Sequence, residues 1–315
     1  MYATSNPCTR AAVPRDRLHH HGHTALRAAW AEVEQCRRRL WPDPTTAVIA
    51  VWDSRKSPGM LEWRVEARRH RRGRPVALVA GAHTECDLAR LPGASLRHAV
   101  LLAWAPTASG PGVVEVIDLR SASGIAVPRD MQQEGMDGVG VGNASVFVVQ
   151  AGQDEHLHQH PLRSALDLPK LSLARAEPPC ITRFERSAVR HSGDIGRTRV
   201  DGPVKVLAGR RSVLLAMSDE AWEGGVMLGR YDRCDVQLGR SDRVSRVHAL
   251  LLERRGKRFV VDCGSTNGTA VADVARDSVQ ELASHRRVVE LPPIHRLELA
   301  GSVPIMVVSL PEARD

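Results

Sequence analysis

Aromatic residues are scarce in this chain of 315 residues, which holds two Tyr, three Phe and six Trp. A stacking platform for single-stranded nucleic acid needs rings in series, so that kind of surface has little material here. Cysteine is sparse as well. Six in a chain of this size cannot staple a disulfide scaffold, and no two stand as Cys-x-x-Cys, so reduced thiols are expected. Cys86 and Cys234 each precede an Asp and an apolar residue, which makes them equivalent positions of a repeat and core residues in expectation, not nucleophiles. No run of about 18 apolar residues occurs, and the polar, His- and Arg-rich first residues do not resemble a signal peptide. A soluble, cytoplasmic protein without membrane insertion is expected. Also missing are a Gly-x-x-x-x-Gly-Lys loop, a Gly-x-Ser-x-Gly elbow, a His-Glu-x-x-His pair and kinase signature segments. The reading is therefore no enzyme, no catalytic residue and no cofactor.

What the chain does have is positive charge, formally +8 with a pI near 9.7, nearly all of it from arginine. That balance permits an anionic partner without choosing among nucleic acid, lipid and phosphorylated protein. Residues 1–44 read as a polar lead, with His19, His20, His21 and His23, followed by a short helix. Thr24 can cap it, Leu26, Trp30, Val33 and Leu40 share one face, and Pro42 and Pro44 end it. From residue 45 to 150 the pattern is short β-branched runs between Gly, Pro, Ser and Asp turns. The runs are Ala47–Trp52, Leu61–Val65, Pro75–Val79, His98–Leu102, Val113–Ile117 and Ser145–Val149, the pattern of a β-sandwich. The basic run from Arg64 to Arg74 reads as a hairpin connection with a solvated tip. Residues 151–203 lose the pattern and read as an irregular linker. Its His156, His158 and His160 share a face if extended but have no cysteine nearby, and no metal site is assigned to them. Strands resume from 204 to 310, at Val204–Leu207, Ser212–Met217, Gly225–Leu228, Val247–Leu252, Arg258–Val261 and Pro304–Val308.

The second set of strands carries a motif and the first set a damaged copy of it. Gly229-Arg230, Ser245-Arg246-Val247-His248 and Asp262-Cys-Gly264-Ser-Thr266-Asn267-Gly268-Thr269 are answered by Gly81-Ala82, Ser95-Leu96-Arg97-His98 and Asp118-Leu-Arg-Ser-Ala122-Ser123-Gly124. Gly81 to Gly229 is an offset of 148, Ser95 to Ser245 of 150 and Asp118 to Asp262 of 144, so length varies only where loops are expected. One domain has been duplicated. A phosphate monoester carries about −1.5 to −2 charge and three acceptor oxygens, and the intact motif holds what such a group needs. Arg230 can offer a planar fork, Ser245 a hydroxyl, Arg246 a second cation and Asn267 an amide that both donates and accepts. Gly264 and Gly268 suit a turn with positive φ.

On those residues, residues 204–310 resemble a forkhead-associated (FHA) domain, and residues 45–150 a degenerate FHA-like copy. The resemblance implies an all-β fold, two tandem β-sandwiches of about eleven strands each, with phosphothreonine peptides bound by loops at one end. By the same likeness Arg230, Ser245 and Arg246 contact the phosphate, and Thr266 and Asn267 border the peptide. Gly229, His248, Asp262, Gly264 and Gly268 are framework. The expected role is a non-catalytic adaptor in Ser/Thr kinase signalling, with phosphothreonine-containing proteins, a kinase or its substrates, as partners and no specific nucleic acid. The alternative is a phosphate-independent interaction scaffold.

The first copy departs from the pattern where ligand would sit. Ala82, Leu96, Ala122 and Ser123 stand at the positions of Arg230, Arg246, Thr266 and Asn267, while Ser95, His98, Asp118 and Gly124 persist. No phosphothreonine binding is expected of it. Arg97 lies one place from the matching cation and, by strand alternation, faces the other way.

Overall fold

The computed structural model describes residues 46–52, 59–65, 74–104, 114–126, 139–150, 204–208, 213–238, 242–282 and 287–309. The lead and helix expected in 1–44 and the linker expected in 151–203 lie outside the described residues. Among the described residues no helix is long and apolar enough to cross a membrane.

The chain is all-β and its strands fall into two groups. The first comprises β1 (Thr46–Trp52), β2 (Gly59–Val65), β3 (Val76–Ala80), β4 (Ala99–Ala103), β5 (Val114–Asp118), β6 (Ile125–Ala126), β7 (Val139–Val141) and β8 (Ala144–Gln150). They make a five-stranded sheet in the order β2-β1-β8-β7-β6 and a three-stranded sheet in the order β3-β4-β5. Because β2 and β3 belong to different sheets, the basic run between them links two sheets and does not close the expected hairpin.

The second group is β9 (Val204–Ala208), β10 (Val213–Met217), β11 (Val226–Gly229), β12 (Val236–Gln237), β13 (Ala249–Arg254), β14 (Lys257–Asp262), β15 (Thr269–Asp273), β16 (Ser278–Leu282), β17 (Val288–Glu290), β18 (His295–Leu299) and β19 (Val303–Ser309). These form sheets in the orders β16-β15-β18-β19-β10-β9 and β12-β11-β13-β14-β17. One short helix, α1 (Asp219–Gly224), precedes β11. Sequence reasoning passed over it, although its ends are written in the chain. The Ser218 hydroxyl accepts from the Ala221 N–H, Asp219 and Glu220 occupy the first turn, and Gly225 closes the helix at φ 82°. Strands β15 to β18 are also absent from the sequence reading; of these β16 is mostly solvated and β17 is only three residues long, whereas β15 and β18 do carry buried apolar positions.

Each group encloses its own core, and a third core lies between them. In β13 the inward Ala249 and Leu251 join Val226, Leu228, Val260, Leu297 and Ile305. The alternate residues Leu250 and Leu252 face the opposite way and meet Met227, Phe259 and Val261 from their own sheet and Ala77, Val79, Val100, Leu102 and Trp104 from the first group. In β4 the division is the same, with Ala99, Leu101 and Ala103 inward and Val100 and Leu102 in the shared layer. The β3-β4-β5 sheet therefore packs face to face on the β12-β11-β13-β14-β17 sheet, and both are buried on both faces. Strands so placed read as unbroken apolar runs, as Val76–Ala80 and Ala99–Ala103 do.

The shared layer has an approximate two-fold relation. Trp104 follows His98 at the distance at which Arg254 follows His248, and Glu115 precedes Asp118 as Phe259 precedes Asp262. Trp104 meets Phe259 edge to face with ring centroids 5.9 Å apart, and the matching contact is an ion pair, Arg254 Nε to Glu115 Oε1 at 2.6 Å. Asp87 and Asp235 are a second matched pair, each taking an arginine from the opposite group. Arg287 Nε donates to Asp87 at 2.6 Å, with both side chains about 5% exposed, and Arg120 pairs with Asp235. Burial raises the pKa of both carboxyls while the arginines oppose that rise, so the guanidinium in each pair is what holds the charge in place. At the edge, Arg74 donates to Glu290 at 2.9 Å.

A core common to both groups links their stabilities. Leu102→Ala and Leu252→Ala, at matching positions of the shared layer, are each expected to lower unfolding free energy by about 2–5 kcal/mol in equilibrium urea denaturation. Two separate transitions, with only one of them moved by each substitution, would contradict a common core.

Candidate functional site

The intact motif gathers at one end of the second sandwich, where three loops meet. Gly229 ends β11 and lets the loop after it lie against the loop before β13. A Cβ there would stand 2.2 Å from the Arg246 carbonyl oxygen and 2.9 Å from Cys234 Sγ, so no other residue fits. The two loops are joined by backbone bonds, Arg230 N–H to Ser245 O at 3.1 Å and Tyr231 N–H to Arg246 O at 3.0 Å.

His248 ties on the third loop. The Ser245 N–H donates to His248 Nδ1 at 3.0 Å, which leaves Nε2 as the protonated nitrogen and the donor to the Gly268 carbonyl at 2.9 Å. Only the neutral imidazole satisfies both bonds, because a proton on Nδ1 would face the Ser245 N–H. Asp262 shapes the same loop from within, accepting from the Gly264 N–H at 2.9 Å, the Ser265 N–H at 2.8 Å, the Ser265 hydroxyl at 2.5 Å and the Thr269 hydroxyl at 2.7 Å. Gly264 and Gly268 adopt φ of 74° and 76°.

On this framework Arg230, Arg246, Thr266 and Asn267 are exposed and Ser245 is 8% exposed beneath them. The Ser245 hydroxyl oxygen accepts from the Thr266 N–H at 3.0 Å and donates to no acceptor among the described residues. Asn267 Nδ2 donates to the Arg243 carbonyl at 2.7 Å, which fixes the amide and leaves Oδ1 as its acceptor. Neither Arg230 nor Arg246 has a carboxylate partner among the described residues. Sequence reasoning did not single out Arg243, whose role is carried by its backbone oxygen and has no side-chain signature. Beside Arg230, Arg233 stacks on Tyr231 at 5.6 Å.

The first group repeats the loop pairing and the histidine clamp, while of the bonds around Asp262 only that from the Ser265 N–H has a counterpart, Ser121 N–H to Asp118 at 3.1 Å. Ala82 N–H donates to Ser95 O and His83 N–H to Leu96 O, both at 2.9 Å. Ser95 N–H donates to His98 Nδ1 at 3.2 Å, His98 Nε2 lies 2.9 Å from the Gly124 carbonyl, and the Ala122 N–H donates to Ser95 Oγ at 2.9 Å. The cations are absent, and Leu96, 45% exposed, occupies the place of Arg246. Arg97 is buried and points into the shared layer, where its Nε donates to the Gly264 carbonyl at 2.9 Å.

The thiols of Cys86 and Cys234 are buried and held in the neutral form. Burial pushes Cys86 up to about 11 and Cys234 up to about 12, and each sulfur donates to a loop carbonyl, Leu96 O and Arg246 O respectively.

Residues 226–290 match the FHA domain family model and form an FHA domain. No curated protein matches the chain. Among solved structures, Mycobacterium tuberculosis EmbR in complex with a low-affinity phosphopeptide is 20% identical over 28% of this chain and 21% of its own, with a TM-score of 0.22. The chain thus spans about a fifth of that protein. The M. tuberculosis Rv1747 FHA-1 structure is 24% identical over 33% of this chain and 92% of its own, with a TM-score of 0.23. The FHA domain of the CT664 protein from Chlamydia trachomatis is 21% identical over 33% of this chain and 93% of its own, also with a TM-score of 0.23.

Burial lowers the pKa of both His98 and His248. The native state therefore refuses a proton that the unfolded chain accepts near pH 6.5, so their contribution is complete above that pH and is lost as pH falls below it. Unfolding free energy measured in urea should decline from pH 7.5 to 5.5, each histidine adding a slope of up to about 1.4 kcal/mol per pH unit. His98→Asn should flatten that decline. An unchanged slope would mean the imidazole is not held neutral.

Proposed function

We propose that this protein is a non-catalytic phosphothreonine-peptide-binding adaptor in Ser/Thr kinase signalling, acting through the FHA domain in its C-terminal half. The observation that carries this reading is a pair of exposed arginines without carboxylate partners among the described residues, set around a serine hydroxyl that donates to no acceptor among them. An exposed cation at a loop tip with no ion pair among the described residues has little structural reason to be there.

In this reading Arg230 presents its planar fork to two phosphate oxygens and Arg246 supplies further charge. Because the Thr266 N–H occupies a lone pair of Ser245 Oγ, the serine proton is free to turn toward the third oxygen. Asn267, fixed by the Arg243 carbonyl, offers Oδ1 to a peptide N–H beside the phosphothreonine, and Thr266 borders the same strand. Gly229, His248, Asp262, Gly264 and Gly268 set the loops and do not touch ligand. Its partners are then phosphothreonine-containing proteins, a kinase or its substrates.

Residues 45–150 are, in the same reading, a degenerate FHA-like domain that keeps the histidine clamp and has lost the cations. Exposed Leu96 favours a phosphate-independent protein contact for that unit. If the same partners are captured by the full chain before and after phosphatase treatment, a phosphate-independent scaffold is the better account.

Titration with a peptide pool containing a central phosphothreonine and randomised flanks tests the main reading. Arg230→Ala should cost about 2–5 kcal/mol of binding, roughly 30- to 4,000-fold in affinity. Ser245→Ala should weaken binding as well, since it removes both a ligand donor and the Thr266 acceptor. Equal binding of phosphorylated and unphosphorylated pools, or an unaffected Arg230→Ala variant, refutes it.

A further inference from the structure

We propose that the first unit holds the phosphopeptide site of the second in its binding geometry, and that Arg97 and Arg120 are the positioning residues through which it does so. The proposal rests on the function assigned above and gives the unit without a cationic site a role in that function.

Two of the three site loops are gripped from behind by these side chains. Arg97, buried in the shared layer, donates through Nε and Nη2 to the Gly264 carbonyl. Gly264, at φ 74°, opens the turn that carries Thr266 and Asn267, and its carbonyl meets Arg97 of the first unit. The packing there is close, since a Cβ on Gly264 would lie 3.2 Å from the Glu85 carbonyl oxygen. Arg120 grips the other loop. It donates to the Arg233 carbonyl and to Asp235, and Arg233 Nη1 donates back to the Arg120 carbonyl at 3.3 Å. Arg230 lies three residues before Arg233 on that loop.

A third connection runs through Arg287 of the second unit. Its guanidinium donates to Asp87 at 2.6 Å and to the Glu85 carbonyl at 2.5 Å on the first unit, and to Asp262 at 3.5 Å. Asp262 is the acceptor around which the Gly264–Thr269 loop is wound, so all three arginines connect the first unit to residues that set Thr266, Asn267 and Arg230. Loops held this way do not have to be ordered when ligand arrives, and that saving raises affinity.

The other inter-unit contacts provide a control. The Arg254–Glu115 pair lies at the far end of β13, about 20 Å along the strand from the site. It contributes to the same interface without touching a site loop. Arg97→Met and Arg120→Met keep the buried volume and remove the hydrogen bonds, and Glu115→Gln perturbs the interface away from the site.

The experiment uses the full chain with two readouts. The first is affinity for the fluorescent phosphothreonine peptide pool, with the unphosphorylated pool as blank. The second is amide hydrogen exchange of residues 230–235 and 264–269. Arg97→Met and Arg120→Met should each weaken binding about fivefold or more, the range of ordinary coupling between sites. Each should also speed exchange in the loop it contacts, with Arg97→Lys falling between wild type and Arg97→Met. Glu115→Gln should leave both readouts near wild type even where it lowers the melting temperature. Unchanged exchange in both methionine variants overturns the proposal whatever the binding result, and so does a Glu115→Gln variant that loses as much affinity as they do. A wild-type chain that binds both pools equally refutes the phosphopeptide reading instead, and exchange still decides whether the loops are held.

Discussion

Two sheets in this molecule have no face left for solvent. The β3-β4-β5 sheet and the β12-β11-β13-β14-β17 sheet each cover a sandwich core on one side and each other on the opposite side. Every polar group in the shared layer must then find its partner within the protein, because an unpaired charge there would carry the full cost of lost hydration. The arginines meet that requirement. Arg287 takes Asp87, Arg254 takes Glu115, Arg120 takes Asp235, and Arg97 takes a backbone carbonyl.

The loops at the candidate site are built in two tiers. The lower tier is a neutral imidazole, a carboxylate and three glycines, which fix backbone and expose nothing. The upper tier is Arg230, Arg246, Thr266 and Asn267, which are exposed above it, with the Asn267 amide held by the Arg243 carbonyl. The first unit keeps the imidazole, the carboxylate and two of the three glycines, with Arg120 in the place of Gly264, and has none of the upper tier. Its histidine makes both framework bonds with no cation above it, so the clamp serves the fold and does not depend on ligand. That separation is why an exposed Leu96 can stand where Arg246 stands without disturbing the loop beneath.

The approximate two-fold relation between the units changes chemistry from one matched contact to the other. An aromatic pair at one position is an ion pair at its counterpart. Side chains from one unit reach the backbone of the other where the site loops begin, so the interface and the site share residues on the 230–235 and 264–269 segments.

Much of the fold could be read directly from the chain. Alternation and turn residues located the longer strands, and the Gly, Ser-x-x-His and Asp-x-x-x-x-x-Gly elements stand in both halves of the chain, with the cations in the second. Short or solvated strands such as β16 and β17 escaped because they lack an apolar pattern, and α1 escaped although its serine cap and closing glycine were present. The unbroken apolar runs of β3 and β4 marked strands covered on both faces but could not say by what. That Arg287 meets Asp87, 200 residues away, or Arg97 the carbonyl of Gly264, 167 residues away, was decided only when the two sandwiches packed together. Local periodicity reports which side of a strand is apolar. Which surface covers that side is a property of the assembled chain.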